Sequence, residues 1–134
     1  MGFEIAEDLV QNYKNISAHK NTKQWGIYRI ADDESGCSLE KEGDKGSSIE
    51  EFRNALPDDE PRLGVFLLEW KSDDGVMKSK ICFVMYAPDT CKVLAQKFKY
   101  ANFKEQVKQK MNPNREFQIN DKADIKSADW EAEF

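Results

Sequence analysis

The sequence predicts an α+β fold in which a mixed central sheet is flanked by helices, giving a three-layer α/β/α sandwich. Segments with helical and strand patterns follow one another along the 134 residues in the order α-β-β-α-β-β-α-β-α. Two strand segments, 62–70 and 80–86, are nearly continuous apolar runs, which is typical of strands buried on both faces. Because such a sheet needs helices on each side, three layers are the natural packing. The length predicts one domain over residues 1–134.

The first half of the chain predicts two helices on either side of a β-hairpin. The first helix carries its apolar residues on one side, and the hairpin strands contain aromatic and β-branched residues around a polar turn. Ser48, followed three residues later by Glu51, is a capping box that begins the second helix. The predicted segments are a helix at 4–15, strands at 25–30 and 37–40, and a helix at 49–56.

The second half predicts the two apolar strands, a long helix and a short final strand. Asp73-Asp74-Gly75 between the apolar strands is a hairpin signal. Asp89 or Thr90 is predicted to cap the long helix. The predicted segments are strands at 62–70, 80–86 and 116–119, a helix at 91–111, and a short acidic helix within 122–134.

The apolar residues of the long helix fall into two stripes that are displaced around its axis. Such a displacement indicates a bend or two successive contact surfaces. The first stripe is Leu94, Phe98 and Ala101, and the second is Tyr100, Phe103, Val107 and Met111.

Three lysines of the same helix are predicted to form one basic ridge. Lys104 and Lys108 follow Lys97 by 7 and 11 residues, and these spacings bring all three to within about 20° of one helix face. Glu105 is the one acidic residue predicted beside this ridge. A basic ridge with neighbouring apolar residues such as Phe98 is typical of a helix that docks on an acidic protein. A solvated helix face is the alternative that the pattern leaves open.

The charges are unevenly distributed along the chain, whose net charge is −5. Residues 1–77 hold 9 basic and 17 acidic side chains, and residues 111–134 hold 3 basic and 6 acidic ones. Residues 78–110, in contrast, hold eight lysines and two acidic side chains. A basic block on an acidic chain favours an anionic protein surface as partner and argues against nucleic acid. The apolar runs are too short for membrane insertion.

The residues that usually carry catalysis or bind metals are scarce. His19 is the single histidine, and no glycine-rich phosphate loop is present. Cys37, Cys82 and Cys91 are three in number and widely spaced, so we expect free thiols in a reducing compartment, the cytoplasm. The sequence predicts no enzymatic site, no metal ion and no cofactor.

Four segments together resemble the actin-depolymerising factor/cofilin family. The run 78–90 resembles the strand and turn before the family's long helix, and the run 97–105 resembles its Ser-Lys-Met-x-Tyr-Ala-Ser-Ser-Lys-Asp signature. The N-terminal segment 2–5 and the block 52–57 with Arg62 also look like the family. No single motif is very specific, but their order and spacing cover nearly the whole chain.

The resemblance implies a single ADF-homology domain, with a gelsolin-like fold, that acts as a monomer in the cytoplasm and has no enzymatic site. It implies binding to actin monomers and filament sides, and the promotion of filament severing and depolymerisation. Phosphoinositide headgroups would compete for the same basic surface. The implied filament-binding residues are Lys78 and Lys80, and the implied monomer-binding residues are Gly2, Phe3, Lys97, Phe98, Lys104, Glu105 and Lys108.

Two departures from the family pattern affect these expectations. The N-terminal segment lacks the family's regulatory serine, so inhibition by phosphorylation there is not expected. One extra residue lies between Thr90 and Lys97, and it would either rotate the first helical turns by about 100° or be absorbed as a bulge.

Two alternatives stay open on the sequence. Cys91-Lys92, the Asp73-Asp74-Gly75 turn and Trp130 resemble the glia-maturation-factor subfamily, which acts on the actin-related branching complex. The second alternative is a phosphoinositide-binding module without a role in actin binding, based on the basic block alone.

Overall fold

The computed structural model describes residues 2–134, which form six strands, four α-helices and one 3₁₀ turn. The predicted α+β class, with a mixed sheet between helices, is confirmed. In chain order the elements are β1 (Glu4–Ile5), α1 (Glu7–Ser17), β2 (Lys23–Ile30), β3 (Gly36–Asp44), α2 (Ile49–Ala55), β4 (Arg62–Lys71), β5 (Met77–Tyr86), α3 (Leu94–Lys108), β6 (Arg115–Ile119), the 3₁₀ turn (Lys122–Asp124) and α4 (Ser127–Glu131).

The six described strands form one sheet in the order β1-β3-β2-β4-β5-β6. The four central strands are antiparallel, whereas β1 and β6 join the two edges in parallel orientation. The central β4–β5 hairpin pairs without interruption from Arg62 opposite Tyr86 to Lys71 opposite Met77. Its turn contains Gly75 at a φ of +86°, a left-handed conformation that glycine adopts readily, as the Asp-Gly signal predicts.

Two separate hydrophobic clusters lie on the two faces of the sheet. On one face α1 and α3 cover side chains of the central strands, and on the other face α2 and α4 do so. Successive residues of β5 alternate between the clusters, because side chains of a strand point to opposite faces. Phe83 belongs to the α1/α3 cluster, whereas Cys82 and Val84 belong to the α2/α4 cluster.

The start of the chain differs from the predicted helix at 4–15. Residues 4 and 5 form the short strand β1, and the helix begins at Glu7. Glu4 pairs in parallel with Gly36, and a Cβ atom at Gly36 would lie 2.3 Å from the carbonyl oxygen of Glu4. The glycine therefore permits a backbone approach that draws Glu4 and Ile5 into the sheet.

The long helix begins at Leu94, three residues later than predicted. Neither Asp89 nor Thr90 is its cap, because both lie before Val93, the residue at the N-cap position. The Thr90 hydroxyl instead donates to the carbonyl oxygen of Asp58 at 2.6 Å. Val93 occupies the N-cap position and provides no capping hydrogen bond from its side chain within the described residues. The segment 91–93 is thus irregular, and the turns that carry Lys97 follow it as regular helix. The predicted N-cap at Ser48, in contrast, is confirmed, because Ser48 Oγ accepts from Glu51 N at 3.2 Å.

Across residues 2–134, no helix combines the length and the apolar character that crossing a membrane requires. The three cysteines are free and buried.

Candidate functional site

The two apolar stripes of α3 lie in different environments. Tyr100 and Val107 are buried against the sheet, with 2% and 0% of their surface exposed. Leu94 and Phe98, one helical turn apart, are 62% and 63% exposed. The displacement of the stripes predicted from the sequence therefore separates a core-facing side from a solvent-facing side.

The buried side of α3 is fixed by hydrogen bonds as well as by apolar packing. The Tyr100 hydroxyl accepts from the backbone N–H of Ile30 at 3.0 Å, which ties the first half of the helix to β2. Just after the helix, the backbone N–H of Asn112 donates to the hydroxyl of Tyr13 on α1 at 2.9 Å. The solvent-facing residues of α3 are thus carried on a helix that is anchored near its middle and just after its C-terminal end.

The exposed residues at the start of α3 form an apolar patch, which we define as Val93, Leu94 and Phe98. Val93 is 52% exposed. The patch borders a groove of about 480 Å³ between α3 and the β2–β3 turn, with Phe98 and Lys99 on one wall and Asp32 on the other. Contiguous exposed apolar side chains with a polar rim are typical of a surface that binds another protein.

Lys97 lies directly before Phe98 in the sequence and is half-buried. Within residues 2–134 it makes no ion pair, whereas its neighbour Lys99 lies 4.0 Å from Asp32. An unpaired ammonium group next to an exposed aromatic ring can bind a carboxylate of a partner while the ring is desolvated.

The N-terminus lies beside the second half of α3. Phe3 is half-buried and stacks on Phe103, with ring centroids 4.2 Å apart and an interplanar angle of 8°. Gly2 is exposed next to it. The structure thus brings Gly2 and Phe3 to the helix that carries the predicted lysines.

Lys104 and Lys108 do not extend freely into solvent as the ridge prediction implies. Both bind Glu116 of β6, with 2.6 Å between Lys104 Nζ and Glu116 Oε2 and 2.8 Å between Lys108 Nζ and Glu116 Oε1. Glu105, the acidic residue predicted beside the ridge, is exposed and pairs with neither lysine among the described residues. The expectation that the ridge is almost without balancing acid is therefore wrong, because the balancing acid comes from a strand.

The electrostatics of this cluster follow from its partial burial. The side chains of Lys104, Lys108 and Glu116 are 21%, 32% and 20% exposed. Burial alone would raise the pKa of Glu116, but hydrogen bonds from both lysines outweigh it and lower that pKa. The hydrogen bond that Lys108 donates to Glu116 raises the pKa of Lys108 in return. Two ammonium groups thus share one carboxylate, so the cluster has a formal net charge of one positive unit.

Lys78 and Lys80 lie on the opposite side of the molecule from α3. They lie four and two residues before Cys82 on β5 and therefore point to the same sheet face as Cys82, the face covered by α2 and α4. Lys78 is exposed, and Lys80 Nζ lies 6.0 Å from the centre of the Phe134 ring. Phe134 in turn lies 5.9 Å from the ring of Trp70. The two sets of predicted residues thus form two separate surfaces.

The buried thiols and the acidic residues are the remaining groups with reactive or metal-binding side chains. Burial raises the pKa of Cys37 and of Cys82 to about 12, so both thiols are protonated at neutral pH. Within residues 2–134, no three His, Cys, Asp or Glu side chains are grouped so that they could hold a metal ion. What the geometry does offer is exposed apolar side chains beside ammonium groups, which is an arrangement for binding.

Comparison with known proteins agrees with this arrangement. A family model described as cofilin/tropomyosin-type actin-binding protein matches residues 2–134. The chain belongs to this family. The family binds actin and is not enzymatic.

Relatives within the family differ in their names and in their overlap with the chain. Actin-depolymerizing factor 3 of Arabidopsis thaliana is 31% identical over 111 residues, which cover 83% of this chain and 78% of the relative. Glia maturation factor beta of Homo sapiens is 28% identical over 127 residues, which cover 95% of this chain and 88% of the relative. The crystal structure of Streptomyces griseoflavus cofilin superimposes with a TM-score of 0.87 at 23% identity, over 98% of this chain and 96% of its own. This similarity shows that the two chains share a fold.

Two features of the site are not predicted from the sequence. Glu116 is predicted to lie in the last strand, with no functional role. The alternation of that strand does carry a signal, because Phe117 and Ile119 face the α2/α4 cluster, so Glu116, one residue before Phe117, faces α3. The predicted helix at 91–111 includes Val93, whose exposure depends on the late start of α3.

Proposed function

We propose that this chain is a single ADF-homology domain that binds actin monomers and filament sides and promotes filament severing and depolymerisation. The observation that carries the proposal is the pair of exposed apolar residues Leu94 and Phe98 on an anchored helix beside the unpaired Lys97. We define the monomer surface as this part of α3 together with Lys104, Lys108 and the adjoining N-terminus.

The monomer surface combines the two interactions that protein recognition requires. Phe98 and Leu94 lose water-exposed apolar area when a partner covers them, which supplies most of the affinity. Ammonium groups around them attract an acidic partner such as actin over a longer distance and set the orientation of binding. The stacking of Phe3 on Phe103 supports the inclusion of the N-terminus at the rim of the same surface.

Filament binding rests on the second surface, which we define as Lys78, Lys80, Trp70 and Phe134. It lies on the opposite sheet face from α3. A ligand with two separate binding faces can contact two neighbouring subunits of a filament at once, whereas a monomer occupies one face. Simultaneous contact of this kind would change how the two neighbouring subunits are arranged in the filament and would favour severing and subunit loss.

The experiment measures binding of the purified protein to fluorescent actin monomers and its cosedimentation with preformed filaments. We expect Lys97→Ala with Phe98→Ala to weaken monomer binding at least about 30-fold, the loss of roughly 2 kcal/mol typical of a central anchor. We expect Lys78→Ala with Lys80→Ala to reduce cosedimentation while monomer binding is retained. The wild-type protein should reduce the amount of actin in the pellet.

The matched control removes two lysines outside both surfaces. Lys20 and Lys45 are exposed, and Lys20→Ala with Lys45→Ala changes the net charge by the same amount as the variant of the filament surface. Equal binding of the control and the surface variants would contradict the assignment of the surfaces. Absence of wild-type binding to monomers and to filaments would overturn the proposed function.

A second candidate function is that of a glia maturation factor. The observation that favours it is the overlap with glia maturation factor beta, which covers 95% of this chain, against 83% for the plant actin-depolymerizing factor. Dissociation of branches from networks made with the actin-related branching complex, without cosedimentation with unbranched filaments, would support this candidate. Disassembly of unbranched filaments would exclude it as the main activity.

Phosphoinositide binding is proposed as competition for the monomer surface, in a chain that acts as a cytoplasmic monomer. Glu116 neutralises part of the charge of Lys104 and Lys108, which leaves Lys97 as the lysine of this surface without an ion pair among residues 2–134. We therefore expect anionic vesicles to compete with actin at low ionic strength and to lose this effect near 0.15 M salt.

A further inference from the structure

Glu116 bridges the two lysines that lie one helical turn apart on α3. Each carboxylate oxygen accepts from a different ammonium group, Oε2 from Lys104 at 2.6 Å and Oε1 from Lys108 at 2.8 Å. The bridge connects the end of α3 to the edge strand β6 and leaves all three side chains partly exposed. It is the one place in the described structure where a single carboxylate orders two lysines of the monomer surface.

We propose that Glu116 is a positioning residue for the monomer surface. It holds the ammonium groups of Lys104 and Lys108 side by side, so that both donate to an acidic group of the bound actin monomer. This inference rests on the proposed function, because it concerns how the same surface binds. Glu116 itself stays in place and does not leave when the partner arrives.

The hydrogen-bonding capacity of the cluster allows a partner to join it. An ammonium group has three N–H donors, and each lysine uses one of them on Glu116. Two donors remain on each group, and the exposed fractions of 21% and 32% keep them accessible from solvent. A partner carboxylate can therefore complete an alternating arrangement of two positive and two negative groups.

Removal of Glu116 would leave the lysines present but unordered. Their like charges, four residues apart on a helix, would repel one another. Each lysine would regain the rotamer freedom of a long side chain, which binding must then remove. A partner would then meet a more positive but less ordered surface. The added positive charge affects the association rate, whereas the loss of order affects the dissociation rate.

The experiment compares association and dissociation rates of an actin monomer for the wild-type chain and for Glu116→Gln. The substitution keeps the size of the side chain and removes its charge. We expect association to be faster by less than about threefold, because net positive charge rises by one unit. We expect dissociation to be faster by about tenfold or more, because binding must then order two lysine side chains that Glu116 no longer holds. The affinity should therefore fall.

Two further variants separate charge from position. Glu50→Gln on α2 makes the same change in net charge at an exposed residue on the other face of the sheet, and it should leave the dissociation rate unchanged. Glu116→Asp keeps the charge but shortens the side chain by one methylene. It should leave association unchanged and accelerate dissociation. Thermal unfolding of each variant shows whether it is folded at the temperature of the assay.

The outcomes distinguish this inference from the proposed function. Unchanged or slower dissociation of Glu116→Gln, with affinity equal to or above that of the wild type, would mean that Glu116 competes with the partner or serves the fold alone, and would overturn the inference. Unchanged binding of Lys104→Ala with Lys108→Ala would instead remove these lysines from the monomer surface. In that double-lysine background, Glu116→Gln should no longer affect dissociation if the inference is correct, and an effect that persists there would contradict it.

Discussion

The ring of Phe3 lies face to face with the ring of Phe103, with centroids 4.2 Å apart and an interplanar angle of 8°. This contact fastens the described N-terminal residues to the second half of α3. Strand β1 follows directly, since Glu4 and Ile5 pair with β3. The exposed Gly2 is therefore held close to the helix by the stacked ring of the next residue and by the backbone pairing of the two residues after it.

The first prediction concerns this stacking. Phe3→Ala should destabilise the fold by about 2 kcal/mol, because it removes half-buried apolar area as well as the roughly 1 kcal/mol typical of a paired aromatic ring. It should also weaken binding of actin monomers, because the N-terminus is no longer ordered before binding. Chemical denaturation and fluorescence titration measure the two effects. Phe3→Leu, which retains an apolar contact, serves as the control, and monomer affinity equal to that of the wild type for Phe3→Ala would contradict the prediction.

The second prediction separates the two sides of α3. Phe98→Ala removes a side chain that is 63% exposed, so the free energy of unfolding should change by no more than about 0.5 kcal/mol. Tyr100→Phe removes the hydroxyl that accepts from the N–H of buried Ile30 and should cost about 1–2 kcal/mol. Actin binding should respond in the opposite order, strongly to Phe98→Ala and weakly to Tyr100→Phe. A large loss of stability in Phe98→Ala would show that the ring packs in the core.

The strands of the centre could be predicted from the sequence because their signals are local. The apolar runs at 62–70 and 80–86 are bounded by turn residues, and the strands that form, Arg62–Lys71 and Met77–Tyr86, extend them by a few residues. Local signals fail where a long-range contact decides the structure. Glu4 and Ile5 form a strand because β3 pairs with them.

The candidate site shows the same limit. The helical period places Lys97, Lys104 and Lys108 on one face of α3, and their spacing in the sequence is sufficient to predict this. The period does not reveal that Lys104 and Lys108 meet Glu116, because that contact requires β6 to return beside the helix. Nor does it show which of the two apolar stripes faces the sheet. Both stripes have the same chemistry, and only the packing against the sheet shows that Tyr100 and Val107 belong to the core.

The third prediction follows from the lowered pKa of Glu116. Burial would raise this pKa above its ordinary value of 4.5, but the hydrogen bonds from Lys104 and Lys108 lower it. A carboxyl whose pKa is lower in the folded state stabilises the fold above its unfolded pKa and loses that contribution as the pH falls through the folded value. Carboxylates are ionised at roughly pH 6–7. The difference in free energy of unfolding between the wild type and Glu116→Gln should therefore reach its maximum there and decline as the pH falls below 4.5.

Urea unfolding of both proteins across the acid range measures this difference. The raised pKa of Lys108 has the opposite sign, so its contribution is present below 10.5 and disappears as the pH rises through the folded value. Glu50→Gln, at an exposed residue, provides the reference for a carboxylate of α2. A difference that stays constant down to strongly acidic pH would show that Glu116 is not held by the two lysines.

The fourth prediction concerns Arg62 at the start of β4. Arg62 is 6% exposed and binds both oxygens of Glu40, at 2.9 Å from Nε and 3.1 Å from Nη2. Arg62→Ala should destabilise the fold by about 2 kcal/mol, because it removes a buried side chain and its charge-assisted hydrogen bonds to Glu40, whose own side chain is 25% exposed. Arg29→Ala, which breaks an exposed pair with Asp32, should cost no more than about 0.5 kcal/mol. Equal effects of the two substitutions in urea unfolding would contradict the prediction.

The separate stripes of α3 have a consequence for how such a chain can diverge. Core residues such as Val107 are constrained by packing, whereas Leu94 and Phe98 contribute little to it. Substitutions on the exposed side can therefore accumulate without loss of folding, and each one alters the shape offered to other molecules. One scaffold can in this way acquire new binding preferences over generations while its thermodynamic stability is preserved.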